Sequence, residues 1–156
     1  MRYQVPPETL PGARPGLAVA AMAPLLSSLI VADLPALALG ALNAWALGCR
    51  DRVRQVLVLG GAYVATVAVG AAALALRGAE MTLAAEIVRN VQLLAVLVAL
   101  LYAYQRQHVV AAYGREAATG VNRGIGTVVA LYLIDRFLVR PALGDNAVLR
   151  LLWGSL

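Results

Sequence analysis

The sequence contains no lysine; all thirteen basic residues are arginine. That absence removes a phosphate-cradling P-loop lysine, a Schiff-base lysine and every Ser-Lys nucleophile pair. Cysteine and histidine occur once each, as Cys49 and His108. No disulfide can form within the chain, and the usual Cys/His metal sites cannot be built from it, so neither a metal nor a cofactor is expected. Charge is scarce as well. Charged residues make up 13% of the 156 positions, and 62% are hydrophobic, against about 25% and about 45–50% in an ordinary soluble domain. So few charges cannot cover a water-exposed globule of this size. The class that remains is a polytopic membrane protein, with lipid as the solvent of its outer surface.

The charges that are present stand singly between apolar runs. The net charge of +5 therefore reads as a topology signal and not as a nucleic-acid footprint. Residues 1–15 carry four prolines and are expected to form a disordered or extended tail. Positions 16–48 hold two uncharged runs separated by Asp33-Leu34-Pro35. As one helix they would reach roughly 50 Å, well beyond a hydrocarbon core of about 30 Å. A carboxylate is costly at mid-membrane, and Pro35 disfavours helix at Leu34. The reading is a hairpin or re-entrant pair, 16–32 and 36–48, turning at 33–35. Three further segments follow at 55–76, 86–104 and 124–140, with Pro141 ending the last and 141–156 forming a short amphipathic tail. The expected fold is thus all-α, a transmembrane bundle of four to five segments spanning 16–140. Ala36-Leu37-Ala38 resembles a signal-cleavage site, but the Pro-rich leader and the continuing apolar sequence favour the hairpin.

Orientation follows from counting arginines by side. Eight, including Arg50, Arg52, Arg54 and Arg106, fall on one side, and five on the other. The denser side is expected to be cytoplasmic, with the N-terminus inside and the C-terminus outside. Trp45, Tyr102 and Tyr104 then lie near the inner headgroups.

Two features bear on packing and two on chemistry. Ala36, Gly40, Ala44 and Gly48 recur every four residues, and Ala62, Thr66 and Gly70 form a second small ridge. Such faces let helix backbones approach closely, and they are expected to join 36–48 to 55–76. Asn43 lies in the same short arm, where its amide needs a partner. Glu86, Arg89, Asn90 and Gln92 fall at a similar height to Asp135 and Arg136 when residues are counted from the inner helix ends. The expected arrangement pairs Asp135 with Arg89, while Arg136 faces Glu86 or the outer headgroups. His108, in Gln105-Arg106-Gln107-His108, reads as a solvated helix end. Gly124-Ile125-Gly126 lacks the third glycine of a dinucleotide site and reads as a loose helix start. Ser27, Ser28 and Ser155 have no histidine at matching depth, so no Ser-His hydrolase is expected.

The stretch from Asp33-Leu34-Pro35-Ala36 through Asn43-Ala44-Trp45-Ala46-Leu47-Gly48 runs into a basic turn of Arg50, Arg52 and Arg54. Over residues 31–60 it resembles small polytopic bacterial membrane proteins of uncharacterised function. The resemblance implies a shared hairpin and no activity. Taken together, the sequence leads to the expectation of a non-enzymatic, multi-pass protein of the bacterial inner membrane. Its expected role is as a structural or accessory subunit packed against other membrane subunits or a second copy. The competing expectation is a small oligomeric transporter or channel built on the polar cluster.

Overall fold

The structure, a computed structural model, describes residues 18–75, 82–113 and 117–153, and the side chains of all of these except 82–86, 112–113 and 117–123. The described residues are helical, with no strand. In chain order they form α1 (Ala23–Ile30), α2 (Asp33–Ala46), α3 (Arg52–Ala75), α4 (Thr82–Tyr113) and α5 (Ala117–Ile134). A π-helical turn (Asp135–Val139), α6 (Arg140–Leu143) and α7 (Ala147–Trp153) complete the chain.

The early apolar run breaks at Val31-Ala32, where Ala32 is fully extended at φ −166°. This lies just ahead of the expected turn. Asp33-Leu34-Pro35 is the first turn of α2 instead. The physical reason is that a helix start suits all three residues. The first N–H groups have no intrahelical partner, so proline loses nothing there, and a carboxylate complements the dipole. The chain then folds back on itself. A Cβ on Gly40 would lie 3.7 Å from the Pro24 ring, and the Asn43 side chain accepts from the Val19 N–H at 3.0 Å. In both cases residues about equally far from the break meet.

The second arm closes by a cap. Gly48 N–H donates to the Trp45 carbonyl and Cys49 N–H to that of Ala44, at 3.0 and 3.1 Å. Gly48 takes a φ of 65°, which completes the glycine-closed helix end of the Schellman type. Gly48 therefore ends α2 and does not extend the packing ridge. Its conformation, unlike that of Ala36, Gly40 and Ala44, demands glycine.

α3 and α4 are the long elements. Arg52–Ala75 and, within α4, Ile87–Ala111 are each long and apolar enough to cross a membrane. Their outward positions carry large apolar side chains such as Leu57, Val64, Leu94 and Val98. α4 runs on to Tyr113, past the expected end at 104, because Gln107 is buried and bonded to α2 and α3. The core is a cluster of Ala36, Leu37, Leu59, Val96, Ala99, Leu100 and Ala103, where α2 packs against both α3 and α4.

The last segment differs most from expectation. Pro141 does not end it; helix continues to Leu143, and Gly144 turns the chain at φ 54°. The π turn ahead of Pro141, with Arg140 N–H donating to the Asp135 carbonyl, widens the helix where a proline ring would crowd the preceding turn. Gly124 lies inside α5 and not at its start. A Cβ there would come within 2.7 Å of the Ala20 Cβ, so glycine admits the chain leading into α1. The C-terminal piece is folded back as α7. Asn146 caps it, accepting from Val148 and Leu149 N–H groups at 3.1 and 3.2 Å. Leu151 is buried.

Candidate functional site

The helices alternate in direction, so polar residues far apart in sequence gather at two ends. One end carries Arg50, Arg52, Arg54 and Arg106 and is called here the basic end. The other contains the α1–α2 turn and is called the hairpin end.

At the basic end a chain of amides runs through the bundle. Asn43 Nδ2 donates to Gln107 Oε1 at 2.8 Å. Gln107 Nε2 donates to the Gly40 carbonyl at 2.9 Å and to Gln55 Oε1 at 3.0 Å. Gln55 Nε2 donates to Asp51 Oδ1 at 2.7 Å, and Arg106 lies 3.7 Å from Asp51. Asn43, Gln55 and Gln107 are essentially inaccessible to solvent, and their mutual bonds remove the desolvation penalty that each would carry alone. The outer edge is aromatic and cationic. The Arg52 guanidinium lies 4.2 Å from the Trp45 ring, and that of Arg106 lies 5.8 Å from the Tyr102 ring. Cys49 is buried beside this network. Burial pushes its thiol above its ordinary range, although a hydrogen bond from Gln55 opposes the shift, so the group is a poor nucleophile. His108 is exposed, 5.4 Å from Tyr104.

The hairpin end holds a pocket of about 260 Å³ between α1, α3, α4, α6 and α7. Its polar wall comprises Ser28, Asp33, Thr66, Arg89, Gln92 and Arg140. Gln92 Nε2 donates to the Thr66 carbonyl at 2.6 Å. Asp33 is part-buried at the N-terminus of α2, where a carboxylate complements the helix dipole.

Behind the pocket lies Asp135, of which 1% is exposed. Its partner is Arg140, not Arg89. Arg140 Nε donates to Asp135 Oδ2 at 2.7 Å, and Trp153 Nε1 donates to Oδ1 at 2.7 Å. Arg140 Nη2 also reaches the Val31 carbonyl at 3.3 Å. In a regular helix, positions five apart point about 140° away from each other. The π turn, bonded i to i+5, sets them one above the other. Arg89 lines the pocket but makes no hydrogen bond or ion pair with any described residue. Arg136 and Asn90 are exposed and take no part. The Glu86 side chain lies outside the described residues.

The small ridges are placed as follows. Ala36 and Ala44 are fully buried, and a Cβ on Gly40 would meet Leu59 and Leu100 at 3.3 Å. Ala62 packs part-buried against the same core. Thr66 is buried, with its hydroxyl donating to the Tyr63 carbonyl at 2.8 Å. Gly70 faces α7 and α4 instead of α2: a Cβ there would collide with Leu151 and come within 2.8 Å of Gln92 Nε2.

Sequence reasoning missed Gln55, Gln107, Arg140, Trp153 and the pocket role of Asp33. Two of these carried a signal. Gln55, Leu59, Thr66 and Gly70 are the buried positions of α3. Gln107 continues the buried series Val96, Leu100 and Ala103 of α4. Both series step by multiples of about one helical turn, and a polar residue on an apolar stripe marks a buried bond. Comparison with protein-family models, curated proteins and solved structures yields no match to this chain.

Proposed function

We propose that this chain is a non-enzymatic, multi-pass protein of the bacterial inner membrane, serving as a structural or accessory subunit of a larger assembly. The observation that carries the reading is the division of its polar and apolar groups. Inside, Asn43, Gln55 and Gln107 bind one another, and Asp135 binds Arg140 and Trp153. Outside, large apolar side chains cover α3, α4 and α5, among them Leu57, Leu94 and Ile125. That is the division a lipid-facing scaffold requires.

In this reading α3 and α4 cross the bilayer, and the continuous helix from Ala117 to Leu143 crosses as a third span. The eight and fourteen residues of α1 and α2 reach only about 12 and 21 Å, so they form a re-entrant pair and complete the four to five segments. Arginine density assigns the basic end, and with it the N-terminus, to the cytoplasm, and the C-terminus to the opposite side.

The pocket lined by Asp33, Arg89 and Arg140 favours a second reading, a small oligomeric transporter or channel. Purification in mild detergent separates the two. The first predicts other membrane subunits at fixed stoichiometry. A pure self-oligomer that passes ions in vesicles overturns it in favour of the second.

A further inference from the structure

Among the described residues, the hairpin end has an arginine that no carboxylate matches. Arg140 is matched by Asp135. Arg89 faces the same pocket and has no partner among the described residues. Its position is informative. The apolar stretch Ile87–Ala111 is centred on Ala99, so Arg89 lies ten residues from the centre, roughly 15 Å along the helix. That is half the thickness of a hydrocarbon core of about 30 Å. It is the depth at which the phosphates of one leaflet begin.

We propose that the pocket between Arg89 and Arg140, completed by Gln92, binds a phosphate-type oxyanion, as carried by a phospholipid headgroup or by free phosphate. Guanidinium groups present paired N–H donors that match two oxygens of one phosphate. An unpaired guanidinium at the edge of a low-dielectric region is unfavourable, and a bound anion offsets that penalty. The pocket volume of about 260 Å³ falls just below the range for drug-sized ligands, which suits a small charged group and not a large metabolite. The lower wall is apolar, with Leu93 and Leu151, as an acyl-bearing ligand would need. Among the described residues, Asp33 is the one carboxylate lining the pocket. The other charges facing it are Arg89 of α4 and Arg140 of α6, the latter backed by Asp135.

The lipid source rests on the membrane reading above; the free anion does not. The test uses the full-length protein in a neutral detergent. Its thermal unfolding is followed with phosphatidylglycerol, with phosphatidylcholine and with inorganic phosphate, and retained lipid is counted by native mass spectrometry. Arg89→Gln is compared with Arg54→Gln, an exposed arginine of the basic end. Because Arg89 bonds no described residue, its variant should unfold at the wild-type temperature when no ligand is added. The expected result is stabilisation and retention by phosphatidylglycerol in wild type and Arg54→Gln, with apparent affinity about tenfold or more lower in Arg89→Gln. Stabilisation by inorganic phosphate with the same dependence on Arg89 identifies a free anion as the ligand. No stabilisation by any of the three, or a response lost in Arg54→Gln and kept in Arg89→Gln, overturns the proposal. Solubility without detergent would remove the membrane reading and leave the phosphate arm standing.

Discussion

Replacing Gln107 by leucine should destabilise the bundle more than its place in a polar stretch of sequence suggests. Gln107 is 1% exposed and makes three hydrogen bonds, to Asn43, Gln55 and the Gly40 carbonyl. Leucine fills much of the space but offers no donor or acceptor. The Gly40 carbonyl keeps its helical partner. Asn43 Nδ2 and Gln55 Oε1 are left buried and unpaired, at about 1–3 kcal/mol each. Two effects reduce the total. Leucine gains apolar burial, and in lipid the unfolded chain also finds partners for its polar groups, so that single interhelical bonds average about 0.6 kcal/mol. The expected loss is about 2–3 kcal/mol, a fall in Tm of about 5–10 °C for a chain of this length.

The assay is thermal unfolding in detergent, with Gln105→Leu as the control. Gln105 is two residues away and exposed, so its replacement should fall within about 0.5 kcal/mol of wild type. A triple variant, Gln107→Leu with Asn43→Leu and Gln55→Met, should recover part of the loss, because it removes the orphaned groups along with their bonds. If Gln107→Leu is indistinguishable from Gln105→Leu, or if the triple variant loses the sum of three separate losses, the amide chain does not hold the basic end together.

Two further outcomes are expected. Gly40→Leu should abolish monodisperse protein in size-exclusion chromatography, since even a Cβ there is 3.3 Å from Leu59 and Leu100, whereas Leu42→Ile, at a position 67% exposed, should not. Arg140→Gln leaves the Asp135 carboxylate buried without its cation and should cost about 3–5 kcal/mol; adding Asp135→Asn should restore part of it, and strictly additive losses in thermal unfolding would count against the pair.

Much of the helical layout is legible because it follows from one-dimensional signals. Uncharged runs mark α3 and most of α4, and the small residues Ala36, Gly40 and Ala44 mark the face of α2 that packs closest. The boundaries are less legible. Asp33 and Pro35 read equally well as breakers and as a helix first turn, and only the neighbouring contacts decide. Gln107 was hidden for a related reason. Its neighbours Gln105, Arg106 and His108 are exposed, and a local average of polarity cannot separate one buried position from three solvated ones. Its phase relative to Val96, Leu100 and Ala103 can.

The pairing at Asp135 shows where such phase arguments stop. Counting residues from the helix ends puts Asp135 and Arg89 at similar height, and both do lie at the hairpin end. Height does not determine facing, however, and facing depends on the local number of residues per turn. One π turn changes the phase of everything beyond it. It turns Arg140 toward Asp135 and leaves Arg89 without that partner. The change is reinforced from a distance: Gly144 reverses the chain, Asn146 starts α7, and Trp153 returns to the second carboxylate oxygen. Tyr63 secures the same helix by donating to the Leu152 carbonyl at 2.9 Å. The carboxylate is thus held by groups five and eighteen residues away, through a widened turn and a reversal. The arginine this frees is the one that faces the pocket, so the internal pairing of Asp135 and the vacant charge of Arg89 have a single cause.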